Sequence, residues 1–216
     1  MIEIKIIKDP YDLKHYLYKT ATINLNEGFT VIIGRNGCGK TTFCWQLAEH
    51  CKKQNIPYYK YDNYKQGGTH AHSEYSFLED FDALSSTLFH SEGEQIFYNL
   101  GRQVQNISSL IKEHKDSKQL VIILDALDSG FDVEGIGQLK NIANIMVEDC
   151  RKNNIELYVV ITANNYALIH KNSCMDVRTG EYHYFDNYEA YEKFILDQYE
   201  KDRKAEAKRK KKEQEN

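Results

Sequence analysis

Three glycines, a lysine and two threonines crowd into one short stretch: Gly34, Arg35, Asn36, Gly37, Cys38, Gly39, Lys40, Thr41 and Thr42. Its Gly-x4-Gly-Lys-Thr spacing is that of a loop whose backbone amides wrap a phosphate chain. Each residue type has a physical task there. Gly34, Gly37 and Gly39 permit the tight backbone that converges N–H groups on phosphate oxygens. Lys40 brings a positive charge to the β and γ phosphates, the helix that follows adds its partial positive end, and Thr41 offers a hydroxyl to Mg2+. The implied ligands are ATP and Mg2+. A second element fits the same chemistry. The apolar run Leu120 to Leu124 ends on Asp125, and a carboxylate on a neighbouring strand is what a phosphate-bound metal requires.

These groups must be held by a strand before the glycines, a helix after them and a strand under the acid, and each is legible. Phe29 to Ile33 is an apolar run, and Thr41 to Cys51 places Phe43, Leu47 and Cys51 on one helical side. The run LVIIL before Asp125 has the continuous β-branched character of a parallel strand covered on both faces. Further strands are expected at residues 1–8, with Ile2, Ile4 and Ile6 in alternation, and at Ala21 to Leu25, Pro57 to Tyr61 and Leu157 to Ile161. Residues 62–73 read as a loop. Helices are expected from Glu74 to Leu84, from Ser91 to about Glu113, over 133–153, and near the end around Tyr191, Phe194 and Ile195. Met175 to Arg178 and Tyr182 to Phe185 predict a closing hairpin across Thr179-Gly180. The alternation points to an α/β fold with a mainly parallel central sheet, and with the glycine loop the expectation is a P-loop NTPase with N-terminal antiparallel strands and a short helical insert at about 66–115. The domain spans 1–200.

With these motifs placed, the chain resembles ABC-type ATPases. Ile123 to Asp132, ILDALDSGFD, aligns without gaps to that family's LLDEPTSGLD stretch, which puts Asp132 on its D-loop. Ser91-Glu92-Gly93-Glu94-Gln95 is similar to the S-x-G-[EQ] signature of family members outside membrane transport. The resemblance implies that Ser91 and Gly93 open a helix that reaches the γ-phosphate bound by the opposite subunit. Ser91 with Glu94 is equally a capping box, and the two readings need the same exposed N–H groups. The resemblance also matches Gln66 to the polar residue that follows the family's third strand and helps hold the metal. Asn164 takes the place of its switch histidine, and an asparagine can hydrogen-bond phosphate without titrating near neutrality.

One departure bears on catalysis. The family's water-polarising glutamate is Ala126 here, and the nearest sequence candidate for a carboxylate is Asp128. Tyr16 or Tyr18 could stack on adenine, although core packing is the commoner fate of a tyrosine. Only about fifty residues separate Lys40 from Ser91, too few for a transporter's helical subdomain or a long coiled coil. The chain resembles the compact heads among AAA-family/ABC ATPases of bacterial and phage genomes.

Composition narrows the setting. The last sixteen residues, 201–216, hold eight basic and four acidic side chains, while the remaining 200 hold 20 basic and 28 acidic. An acidic body does not favour non-specific nucleic-acid binding, so any such contact would lean on the basic tail, which reads as a solvated, fraying helix end. Five cysteines without a C-x-x-C pair fit neither a zinc site nor a disulfide framework, and they suit a reducing cytoplasm. No run approaches the apolar length of a membrane helix. The expectation is an ATP-dependent homodimer that hydrolyses slowly and acts as a nucleotide-gated clamp or as regulator of an effector such as a nuclease. Its rivals are a non-hydrolysing ATP sensor in a defence or mobile-element system, a transporter's ATP-binding subunit and a P-loop kinase.

Overall fold

The computed structural model describes residues 1–7, 18–63, 92–127 and 131–214. Strand β1 (Ile2–Lys5) pairs antiparallel with β2 (Thr22–Leu25), apart from the main sheet. The central sheet comprises β3 (Gly28–Ile33), β4 (Tyr58–Asp62), β5 (Gln119–Asp125), β6 (Glu156–Thr162), β7 (Ser173–Asp176) and β8 (Tyr182–His183). Its spatial order is β4-β5-β6-β3-β7-β8, parallel throughout except for the last pair. The acid-bearing β5 is therefore not the neighbour of the P-loop strand β3, because β6 lies between them. The helices are α1 (Lys40–Gln54), α2 (Glu92–Glu113), α3 (Val133–Lys152), the single turn α4 (Tyr166–Ile169) and α5 (Tyr188–Gln214).

The central strands are apolar on both faces because the sheet divides two cores. Leu120, Ile122 and Leu124 of β5 join Leu157, Val159 and Ile161 of β6 on the face covered by Ile136, Leu139 and Ala143 of α3. Val121, Ile123, Tyr158 and Val160 point the other way, against Phe43, Cys44, Leu47 and Cys51 of α1 and against the β1–β2 pair. By this alternation Asp125 and Thr162, each one residue beyond an α3-facing position, emerge on the α1 side. Burying those apolar chains stabilises the fold by about 25 cal/mol per Å², and it anchors the strand ends that carry the polar groups.

Three observations depart from the sequence reading. The closing hairpin's first strand ends at Asp176 and not at Arg178. The Asp176 carboxylate accepts from the Arg178 N–H at 3.0 Å and its carbonyl from the Gly180 N–H at 2.8 Å, which folds the chain into a turn that Gly180 completes at φ 73°. Asp62, read as the start of a loop, belongs to β4, since the ladder continues through its pairing with Asp125. Finally, α5 continues without a break to Gln214, with Asp202 in its basic stretch bonded to Arg35 and Arg178. Among the described residues, no helix is long and apolar enough to cross a membrane.

Candidate functional site

The loop between β3 and α1 turns on glycines with positive φ: 141° at Gly34, 77° at Gly37 and 101° at Gly39. Side-chain-bearing residues avoid that backbone. Gly34 is constrained a second way, since a Cβ there would lie 2.5 Å from the Cys38 Sγ. Gly39 is the N-cap of α1 and makes no side-chain capping bond, so the amides of the first turn present an anion site. Beneath the loop, the buried Tyr18 donates its hydroxyl to the Gly39 carbonyl at 2.8 Å. That side chain is packed in the α1-side core and is not placed to stack on a base.

Lys40 folds back over the loop, donating from Nζ to the Gly34 carbonyl at 2.7 Å and the Arg35 carbonyl at 3.3 Å. A phosphate chain offers stronger, charged acceptors to the same ammonium. Cys38 lies behind the loop, and burial pushes its thiol up despite the lysine nearby.

Across the cleft stands the acid. Asp125 is only 1% exposed, accepts from the Thr162 hydroxyl at 2.8 Å through Oδ1, and leaves Oδ2 buried without a hydrogen-bond partner among the described residues. The Thr162 hydroxyl also accepts from the Ala126 N–H at 2.7 Å, so one β6 side chain orients the carboxylate and the peptide beyond it. Ala126 is held at φ 55°, a left-handed conformation that costs a non-glycine residue about 1–2 kcal/mol. The Asn63 side chain donates to its carbonyl at 3.2 Å and closes the arrangement from the β4 side.

Together these groups line a cleft of about 240 Å³ formed by Arg35, Asn36, Gly37, Gly39, Lys40, Thr41, Thr42, Asp125, Ala126, Thr162 and Asn164. Most of the sequence candidates are thus brought together, with Gly34 and Cys38 backing the loop. Asp132 does something different. It caps α3, its Oδ1 accepting from the Gly135 N–H at 2.7 Å. Gly93 lies in the first turn of α2. Gln66, Ser91, Asp128 and Tyr16 lie outside the described residues.

Residues 30–186, which contain every residue of the cleft, match the ATPase family associated with various cellular activities (AAA). The chain belongs to that family. No curated protein matches it. In this AAA ATPase the donor set fits Mg2+, a cation that prefers oxygen ligands and retains several waters. Asp125 presents a buried oxygen that has no partner among the described residues, and Thr41 presents a hydroxyl to the same cleft.

The sequence reading missed two features of the AAA site. Thr162 was visible only as the residue before Ala163-Asn164, and its role depends on β6 lying beside β5. The second is the attachment of the P-loop to the far end of the chain. Arg35 bonds the Asp202 carboxylate at 3.1 Å and lies 4.6 Å from the centre of the Tyr199 ring, both on α5. Arg178 grips the two Asp202 oxygens at 2.6 and 2.7 Å. Nothing local to the motif announces a contact so distant in sequence.

Proposed function

We propose that the chain is an ABC-type ATPase head that closes as a pair around two nucleotides, hydrolyses ATP slowly with Mg2+, and uses the bound nucleotide to clamp or regulate a partner protein. The observation that carries this reading is a phosphate cleft furnished with Lys40, Thr41 and a buried, half-satisfied Asp125, yet bearing the methyl of Ala126 where the resembling family has its glutamate.

The α1 amides and Lys40 bind the triphosphate, and Lys40 exchanges its two loop carbonyls for phosphate oxygens. Thr41 and Asp125 are the metal-holding groups, with Gln66 as a third contributor, and Thr162 keeps Asp125 from rotating. Mg2+, when bound, neutralises charge on the β and γ phosphates. Asn164, exposed at the cleft's edge, is positioned as a hydrogen-bond donor to the terminal phosphate. Ser91, Gly93 in the first turn of α2 and the Asp132 loop complete the site of the opposite subunit.

A missing water-orienting carboxylate lowers turnover by on the order of a hundredfold or more. Occupancy then outlasts the encounter, and ATP serves as a clamp whose contacts favour the closed pair. Ala126 also favours a second reading, a sensor that binds ATP without hydrolysing it. Size measurement with and without ATP and Mg2+, on wild type and Ser91→Arg, tests the pairing. The expected result is a doubling of mass with ATP that the variant loses, whereas a wild type that stays monomeric with saturated nucleotide removes the clamp. Full retention of unhydrolysed ATP over long incubation selects the sensor.

A further inference from the structure

Two cations meet one carboxylate where the last helix passes the nucleotide loop. Arg35 is the second residue of that loop, Arg178 belongs to the turn after β7, and Asp202 lies in the basic stretch of α5. Their bonds are unequal. Arg178 Nη1 donates to both Asp202 oxygens, at 2.6 and 2.7 Å, while Arg35 Nη1 donates to Oδ2 alone at 3.1 Å. The Arg178 backbone is also fixed, its N–H donating to the Asp176 carboxylate at 3.0 Å and its carbonyl accepting from the Lys19 N–H at 2.6 Å. Helix α5 has a second anchor on the same turn, since Gln198 Nε2 donates to the Asp176 carboxylate at 2.9 Å in a buried bond. Asp202 therefore keeps a counter-charge, and α5 its seat, without Arg35. Arg35 by contrast opens a turn, closed by the Cys38 N–H donating to its carbonyl at 3.2 Å, in a segment of positive-φ glycines. It lines the phosphate cleft together with Lys40 and Asn164.

We infer that Arg35 is the residue by which the cleft tells ATP from ADP: it leaves Asp202 for the γ-phosphate when ATP is bound and stays on Asp202 when ADP is bound. This deepens, and rests on, the reading of the cleft as an ATP site. The Lys40 ammonium, which serves the β and γ phosphates, is 3.3 Å from the Arg35 carbonyl, so the terminal phosphate arrives within a side chain's reach of the guanidinium. Charge and shape favour the exchange. Asp202 offers Arg35 one bond to an oxygen already shared with Arg178, whereas a terminal phosphate carries more negative charge and three oxygens that the guanidinium fork engages in parallel. What Arg35 gives up is a partly exposed ion pair and its place over the Tyr199 ring, contacts that solvent weakens. In ADP the terminal group is the β-phosphate, which the α1 amides and Lys40 already enclose. A contact made equally to the bound nucleotide and to the transition state strengthens binding without speeding the chemistry. Arg35 thus lengthens the ATP-bound state, in keeping with a clamp that lacks the water-orienting glutamate.

The test measures Kd by isothermal titration calorimetry with saturating Mg2+, for ADP and for the β,γ-imido analogue of ATP, on the full chain as wild type, Arg35→Ala and Asp202→Asn. For Arg35→Ala the expected result is an analogue Kd raised about tenfold or more, with the ADP Kd within about twofold of wild type. Asp202→Asn removes the competing charge at nearly constant shape, so the analogue should bind about two- to fivefold tighter with ADP again unchanged. A residue that only shapes the loop would move both nucleotides together in Arg35→Ala and gain nothing from Asp202→Asn. An equal loss for both nucleotides, or an analogue affinity that Arg35→Ala leaves intact, overturns the inference. So does an Asp202→Asn protein whose preference for the analogue over ADP does not rise. Circular dichroism shows whether each variant folds, and if one does not, the other decides by its own criterion. A wild type that binds neither nucleotide refutes the ATP reading of the cleft. One that binds both with equal affinity refutes the role of Arg35 and leaves that reading standing.

Discussion

Replacing Thr162 by valine removes one hydroxyl at nearly constant volume and strips two buried groups of their partner. The Ala126 N–H loses an acceptor at 2.7 Å, and Asp125 loses the donor at 2.8 Å that is its partner among the described residues. A buried amide left unsatisfied costs about 1–3 kcal/mol, and a hydrogen bond to a charged group is worth about 1.5–3 kcal/mol. With Thr162 only 3% exposed, water cannot easily replace the hydroxyl, so the two contributions together predict a loss of about 2.5–6 kcal/mol. That is a large share of the roughly 5–15 kcal/mol typical of a folded domain. In urea, at about 2 kcal/mol per molar, the midpoint should fall by roughly 2 M. A double-mutant cycle with Asp125→Ala isolates the carboxylate's share, expected at about 1.5–3 kcal/mol of coupling. A midpoint within roughly 0.3 M of wild type, or coupling below about 0.5 kcal/mol, would show that Thr162 does not hold the acid in place.

Other substitutions probe the same frame. Gly135→Ala sets a Cβ 2.6 Å from the Phe131 ring and 3.3 Å from the capping Asp132 Oδ1, and it should cost about 1–3 kcal/mol by thermal or urea unfolding. Ala126→Gly relieves the left-handed backbone at φ 55°, so the variant should be no less stable than wild type, and gain up to about 1 kcal/mol, despite glycine's greater freedom when unfolded. Burial raises the Cys38 thiol, so the neutral form dominates at pH 7.5. Alkylation there should be slower than for a free thiol and accelerate as pH rises, a trend that mass spectrometry can follow.

What the sequence could and could not reveal divides along the range of the forces involved. The cradle from Gly34 to Thr42 was legible because its glycine conformations and the start of α1 are local properties, and the structure places them as a strand, loop and helix. The Asp125 strand announced itself through an unbroken apolar run, as strands covered on both faces do. Strand order was not legible, since the insertion of β6 between β3 and β5 is a pairing between residues more than thirty positions apart. Everything that depends on that order escaped with it: the bracing hydroxyl of Thr162 and the position of Asp62 beside Asp125. Tyr18 carried the right residue type for base stacking, but its ring is buried and its hydroxyl serves the P-loop backbone.

The grip of the last helix on the nucleotide loop is unequal in its two hands. Arg178, at 18% side-chain exposure, embraces Asp202 with two short bonds, whereas Arg35, at 30%, contributes one longer bond and its stacking on Tyr199. Should Arg35 swing toward an incoming phosphate, Asp202 keeps its stronger tether. The loop can therefore change allegiance while the helix stays moored, uncovering more of the already exposed Tyr199 ring.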